Sequence, residues 1–375
     1  MNLLIVFHSL YSLAGGVDNR ISQLEIELSK KFNTELLLFK NKIDLPHTGK
    51  VSIIEAISVP EFILKNKHKY FLLSYLYGFI IFLVRIFKTR KFLKTKKFDT
   101  ILAVDDYFAL ICIISSIGLN VKIICSVRNN WDYLYNNTMI HLLPDFIYKR
   151  VLPKLMNKYV KNVHCVCDEL AILLKQNYKI ENTVSIYNVF DIENIRKKGN
   201  ENLELDIPYF INIGHFNKQK NQKDIILAYK YLKDTYNIKE KLIFIGDGYL
   251  INECKALVSE FQLNEDILFR GKQKNPYKYL NNAKLYISSS LYEGLPAVFV
   301  ESLILGVPIV SYKFKTGSSE LCNNLTNANY IELAEKVYSV CNNESLQEES
   351  IALGNEIINK RFDSNIILKE WLKIL

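Results

Sequence analysis

Residues 288–312 read SSSLYEGLPAVFVESLILGVPIVSY. The stretch LYISS (285–289) is a short buried-type strand, and PIVSY (308–312) is another. Between them lie a loop with Gly294 and Pro296 and an apolar run near 296–305 that reads as a helix. Pro is favoured in the first turn of a helix, where its missing N–H costs nothing. Strand, loop, helix and strand in this order form the crossover unit of a parallel sheet.

Upstream the same alternation continues. FINI (210–213), a helix near 221–234, LIFI (242–245), a helix near 250–262 and ILF (267–269) follow one another. Farther back come LLIVF (3–7), LLLF (36–39), TILAV (100–104), KIICSV (122–127), VHCVC (163–167) and VSIY (184–187). After the first strand, a loop with Gly15 and Gly16 leads into a helix from about Val17, where Val17, Ile21, Leu24 and Leu28 share one face at the helical period. The stretch 195–208 (IRKKGNENLELDIP) is polar and aperiodic and reads as a linker. The expectation is an α/β chain of two Rossmann-like domains: 1–195, a linker at 196–204, and 205–355. Ligands of such sheets bind beyond the C-terminal ends of the strands.

The bulk properties fit. A chain of 375 residues with 49% hydrophobic and 23% charged residues can build two cores. The seven cysteines are irregularly spaced with no C-x-x-C pair, and read as reduced thiols. The N-terminus lacks a basic n-region and reads as a first strand. The net charge of +9 is uneven: residues 1–200 carry +11 and residues 201–375 carry −2. The N-terminal half is therefore the part suited to a negative partner, such as an anionic membrane surface. Its basic residues form no recognisable nucleic-acid module, so no nucleic acid is expected.

Tyr70–Val84 (YFLLSYLYGFIIFLV) holds 13 apolar residues in 15 and is flanked by Lys65, Lys67 and Lys69 before it and by Arg85, Lys88, Arg90, Lys91, Lys94, Lys96 and Lys97 after it. As a helix of that length it spans about 22 Å, short of the roughly 30 Å hydrocarbon core. Two readings stay open: a buried helix feeding the strand at Thr100, or a helix exposed at a membrane interface with its cations on anionic headgroups.

The chemistry concentrates after the strands. A helix starting at Pro296 leaves backbone N–H groups of Leu295, Ala297 and Val298 unpaired at its N-terminus, an anion site suited to a diphosphate. Glu301 falls inside that helix within the apolar run AVFVESLILGV, where an unpaired carboxylate is costly. A carboxylate can accept bonds from two neighbouring hydroxyls, as on a ribose. Glu293, in the loop before Gly294, would face a sugar hydroxyl or the reacting centre. Gly246-Asp247-Gly248 lacks the third glycine of a dinucleotide fingerprint, since Ile251 stands there, and reads as a strand-to-helix turn.

The segment resembles the E-x7-E motif of retaining glycosyltransferases with the GT-B fold, in particular the large family 4. The resemblance is strongest from Phe210 to Leu321, where FINIGHFNKQKNQKDIILAY, LIFIGDGYLINECKAL, ILFRGK and the opening segment stand in family order. It implies two Rossmann-like domains facing each other across a cleft, with a last helix (356–375) packing back on the first domain. It implies transfer of a hexose or N-acetylhexosamine from a nucleotide-sugar, such as a UDP-sugar, with retention and with no metal. The nucleotide-sugar is a substrate, so no cofactor is expected. In such families Glu301 binds the ribose, while Glu293 and the segment Gly294, Leu295, Pro296, Ala297 and Val298, through the N–H groups its non-proline residues offer, hold sugar and diphosphate. Within Gly214–Lys220 (GHFNKQK), Lys220 matches the family's phosphate lysine, whereas His215 stands where an Arg is usual and supplies fewer donors. Lys220, His215 and helix-terminal N–H groups then stabilise the leaving diphosphate, in a chain with no D-x-D triplet to hold a cation. Gly15 and Gly16 would let the first loop approach the donor. Gly317-Ser318-Ser319-Glu320 resembles a loop that touches the donor.

On the acceptor side, Asp105 and Asp106 follow TILAV and read as an acceptor-binding or proton-accepting pair, or as a solvated loop. Arg128 follows KIICSV and reads as a holder of an acceptor phosphate, or as a salt-bridge partner. The expected acceptor is a lipid-linked or growing glycan, and the expected place is the cytoplasmic face of the membrane. Two rivals remain: a nucleotide-sugar epimerase on the same fold, which needs no acceptor, and an inactive membrane-bound scaffold, for which His215 is the best argument.

Overall fold

The computed structural model describes residues 1–11, 16–56, 60, 70–134 and 147–375. Gly15 and the lysines at 65, 67 and 69 lie outside these residues. The chain divides into two units: Met1–Phe190 with Ser364–Leu375, and Asp191–Asp363.

The first unit is built on a seven-stranded parallel sheet in the order β3-β2-β1-β4-β5-β6-β7. Its strands are β1 (Asn2–Phe7), β2 (Asn33–Leu38), β3 (Lys50–Ile53), β4 (Thr100–Val104), β5 (Lys122–Val127), β6 (Asn162–Cys165) and β7 (Thr183–Ser185). β1 and β4 are almost wholly buried, as strands covered on both faces by helices must be. The helix Gly16–Ser29 buries Ile21, Leu24 and Leu28 as its periodicity predicts, and Val17 is half-exposed. It also buries Glu25, whose carboxylate accepts from Thr34 Oγ1 at 2.6 Å and from the amides of Thr48 at 2.9 Å and Gly49 at 2.8 Å. Those bonds offset the desolvation of the charge.

The C-terminal helix Ser364–Ile374 completes this unit. Trp371 is buried against the His164 ring, with centroids 4.5 Å apart. The Leu375 carbonyl accepts from Lys122 Nζ at 2.9 Å. His164 Nε2 lies 2.7 Å from the Ile186 carbonyl, which can only accept, so that nitrogen carries the proton and Nδ1 accepts from Ser126 Oγ at 2.9 Å. Burial pushes the ring's pKa down to about 3 and keeps it neutral. The return to the first unit starts at Ser364, later than the expected 356, because Glu344–Arg361 is one continuous helix of the second unit.

The second unit carries a six-stranded parallel sheet in the order β10-β9-β8-β11-β12-β13. Its strands are β8 (Tyr209–Ile213), β9 (Lys241–Ile245), β10 (Ile267–Phe269), β11 (Leu285–Ser288), β12 (Ile309–Tyr312) and β13 (Leu325–Thr326). The expected linker overlaps a helix, Ile192–Gly199, capped by Asp191 accepting from the Asn194 amide at 3.1 Å. Gly199 permits its close seat, since a Cβ there would lie 2.6 Å from Leu305. In each sheet the strand order reverses at one place, between β1 and β4 in the first and between β8 and β11 in the second. That switch point is where open α/β sheets leave a crevice for ligands.

The apolar segment at 70–84 belongs to a longer helix than its composition suggests. Phe71–Thr95 has 25 residues, so its length no longer argues against spanning a bilayer. One face is buried, through Ile81, Phe82, Arg85, Thr89 and Leu93. Arg85 donates to Tyr107 Oη at 3.1 Å, and Ser115 Oγ donates to the Ile86 carbonyl at 3.1 Å, tying the helix to Asp106–Ser116. The other face is exposed. The buried-helix reading thus holds for one face of the helix.

Candidate active site

In the second unit, the loops after β8 and β11 meet at the switch point. The β8 loop is held by its neighbour: Gly214 N donates to Ile245 O at 2.9 Å, and Phe216 N to Asp247 O at 2.9 Å. Gly246 and Gly248 make that approach possible. A Cβ on Gly246 would lie 1.9 Å from the Gly214 carbonyl oxygen, and one on Gly248 2.3 Å from that of Phe216. The Gly-Asp-Gly turn therefore positions the β8 loop through its backbone.

At the end of this loop Lys220 Nζ donates to Glu293 Oε1 at 2.6 Å. The sequence separates them by more than seventy residues; the sheet brings them together. Gln219 Nε2 bridges the same place, donating to Glu293 Oε2 at 3.2 Å and to the Tyr292 carbonyl at 2.8 Å. The Leu291 amide donates to Gln219 O at 2.8 Å, and Ser289 Oγ donates to the carbonyls of Lys220 and Asn221. The two loops are thus laced together around one mostly buried ion pair.

A third loop closes on the same residues. Buried Thr316 donates through its hydroxyl to the Glu293 carbonyl and has φ +73°, an unusual backbone for a β-branched residue. Gly317, at φ +86°, sits where a Cβ would lie 2.9 Å from the Gly294 carbonyl oxygen. Pro296 is extended and caps the helix Ala297–Ile304, which opens one residue later than its sequence suggests. Ala297 and Val298 form the first turn; Leu295 precedes the cap. Glu301, 9% exposed, lies in the helix's second turn and accepts from Tyr277 Oη at 3.3 Å. Tyr286 is buried near both carboxylates: burial first, then the charges of Glu293 and Glu301, push its hydroxyl far above the usual tyrosine range. His215 is exposed, and what it gives the loop is its carbonyl, which accepts from Gln222 Nε2 at 3.2 Å.

Gln219, Tyr277, Tyr286 and Thr316 were not singled out from sequence. Gln219 was within reach, lying inside GHFNKQK. The others come from segments with no motif.

The first unit holds Gly16, Asp105, Asp106 and Arg128. Gly16 opens its helix and is exposed. Asp105 caps and Asp106 opens the helix Asp106–Ser116, and both are half-buried. Burial, with the Asp106 charge next, pushes the Asp105 carboxyl up to about 7, while the Arg128 guanidinium opposes the rise. Burial pushes Asp106 up to about 6. Arg128 is 6% exposed, donates to Asn188 Oδ1 at 2.8 Å and is lowered to about 10 by burial. Asp18, also missed, accepts from Ser9 Oγ at 3.2 Å and the Tyr11 amide at 3.1 Å.

Asp105 has φ +69° and ψ +156°, a region essentially reserved for glycine. It is pinned there by its amide donating to Ser126 O at 2.9 Å and its carbonyl accepting from Ala109 N at 3.0 Å. An aspartate kept in such a place costs about 1–3 kcal/mol. Asp105→Gly is therefore more stable than Asp105→Ala by about 1–2 kcal/mol in urea unfolding. Both variants lack the carboxylate, so the comparison isolates the backbone; equal stabilities would show that the backbone relaxes.

Two parallel sheets in this strand order, each with a helix N-terminus at its switch point, define the GT-B class. A structure of Anabaena HepE in complex with UDP and glucose superposes with a TM-score of 0.74 at 17% identity, covering 100% of this chain and 99% of that one. Residues 191–355 match the family model described as Glycosyl transferases group 1. An uncharacterised glycosyltransferase of Methanocaldococcus jannaschii is 29% identical over 336 residues, covering 77% of this chain and 82% of its own. A Campylobacter jejuni enzyme named N-acetylgalactosamine-N,N'-diacetylbacillosaminyl-diphospho-undecaprenol 4-alpha-N-acetylgalactosaminyltransferase is 27% identical, covering 83% of this chain and 81% of its own. The chain has the GT-B fold, and its residues 191–355 match the group 1 glycosyltransferases.

Proposed function

We propose that the protein transfers a hexose or N-acetylhexosamine from a nucleotide-sugar, of the UDP type, to a lipid-linked or growing glycan, with retention and without a metal. The observation that carries this reading is the Lys220–Glu293 pair at the β8–β11 switch point, beside the Ala297–Ile304 helix N-terminus. A donor diphosphate entering there draws the Lys220 ammonium toward its oxygens, releasing Glu293 to accept from sugar hydroxyls. Lys220, with the amides of Ala297 and Val298, then faces the negative charge that grows on the departing diphosphate. Glu301 takes the ribose hydroxyls. Exposed His215 is free to turn toward the phosphates, as a smaller substitute for a guanidinium fork.

Two neighbours support the substrates: HepE is described with UDP and glucose, and the Campylobacter enzyme is named for a diphospho-undecaprenol acceptor. The buried Arg128, with Asp105 and Asp106, is assigned to the acceptor side. The basic first half supports a position at the inner face of the cytoplasmic membrane, against anionic lipid.

A thermal-shift panel of UDP-, GDP-, ADP- and TDP-sugars tests the donor site. A ligand at 100 times its Kd stabilises by about 2.7 kcal/mol, and one nucleotide class is expected to do so. Absence of any shift in folded protein would count against the donor site. Turnover is expected to survive EDTA; its loss with rescue by magnesium would overturn the metal-free part.

A further inference from the structure

The exposed face of Phe71–Thr95 changes character along its length. Leu72, Leu76, Phe79, Leu83 and Phe87 are 44–81% exposed. At 100° per residue they share an arc of about 80°, over about 22 Å of helix. Farther along, the same arc meets Lys94, with Lys91 beside it, both exposed. The helix contains no acidic residue. Its other cations are engaged: Arg85 with Tyr107, Arg90 with the carbonyls of Ser115 and Ile117, and Lys88 with that of Glu55; just past its end Lys96 pairs with Glu35.

We propose that this face docks on an anionic lipid bilayer in a tilted pose, its apolar N-terminal half below the headgroups and Lys91 and Lys94 among the lipid phosphates. Apolar and cationic residues separated along the axis, not around it, match the order of layers met on entering a membrane obliquely. The helix does not span, because its opposite face holds Arg85, Thr89 and the bonds to Asp106–Ser116. A second copy on the same face would set lysines against apolar side chains or other lysines, with no acid on the helix to meet them. The inference rests on the membrane contact proposed above and not on the transfer chemistry.

Flotation with phosphatidylethanolamine vesicles, with and without phosphatidylglycerol, tests it. The protein floats with the anionic vesicles, less so in high salt. Leu76→Glu with Leu83→Glu, both exposed positions, lowers vesicle affinity about tenfold or more. Lys91→Gln and Lys94→Gln each lower it about fivefold on anionic vesicles. In a Cys341→Ser background, where the remaining cysteines are buried, an environment-sensitive fluorophore reports deep insertion at Leu72→Cys and headgroup depth at Lys94→Cys. Unchanged flotation of the double glutamate variant, or equal depth at both labels, overturns the proposal. So does a dimer in sedimentation velocity that the glutamates abolish while flotation persists. The nucleotide thermal shift is run on every variant: intact shifts show that lost flotation is lost docking and not unfolding. Flotation without any nucleotide shift leaves docking standing while the transfer reading fails.

Discussion

Lys220→Ala lowers turnover by about two orders of magnitude or more, by analogy with removing one donor from a site of developing negative charge. Lys220 is the cation that the fold aims at the switch point, and its partner there is Glu293 at 2.6 Å. The variant also leaves the Glu293 carboxylate, among the described residues, with the Gln219 bond alone, which costs about 1–2 kcal/mol of stability. The two effects separate when turnover is measured at a temperature where circular dichroism reports both proteins fully folded. A lysine that only anchored Glu293 would leave turnover near normal under that condition, and such a result removes Lys220 from the mechanism.

Glu301→Ala weakens nucleotide binding by about 10- to 100-fold, the value of charge-assisted bonds to two hydroxyls. Calorimetry with UDP and with its 2′,3′-dideoxy counterpart identifies the cause. The native protein prefers the ribonucleotide, and the variant binds both alike. Equal affinities of native and variant protein for UDP would refute the ribose role. Glu301 is 9% exposed, with Tyr277 donating to it at 3.3 Å, so the substitution also removes that bond. Tyr277→Phe separates that contribution, and it is expected to be small because the bond is long.

Central strands were legible because burial on both faces leaves an apolar run: TILAV is β4 and KIICSV is β5, residue for residue. The outer strands β3 and β13 were not read. They are short and flank their sheets, and KVSI is partly exposed, so no run marks them. The linker was misplaced because IRKKG looks polar, yet those residues finish a helix that buries only Ile195 and Gly199. In the site, Glu293, Glu301 and Lys220 could be found because they sit at fixed offsets from glycine and proline. Thr316 and Tyr277 could not, since their relation to the glutamates exists only after three loops converge. The state of Asp105 was hidden for a different reason. Nothing in ILAVDDYF signals that the first aspartate must adopt a glycine's backbone, which bonds to Ser126 and Ala109 impose.

The return of Ser364–Leu375 to the first unit has a consequence for the order of synthesis. Every residue of 191–363 leaves the ribosome before the segment that completes the N-terminal sheet. Until then His164 lacks the Trp371 ring, and Lys122 lacks the Leu375 carbonyl. The second unit, contiguous in sequence, has all its own contacts first. The nascent chain therefore holds a finished second unit while the first unit, begun earlier, still awaits the helix that packs on His164.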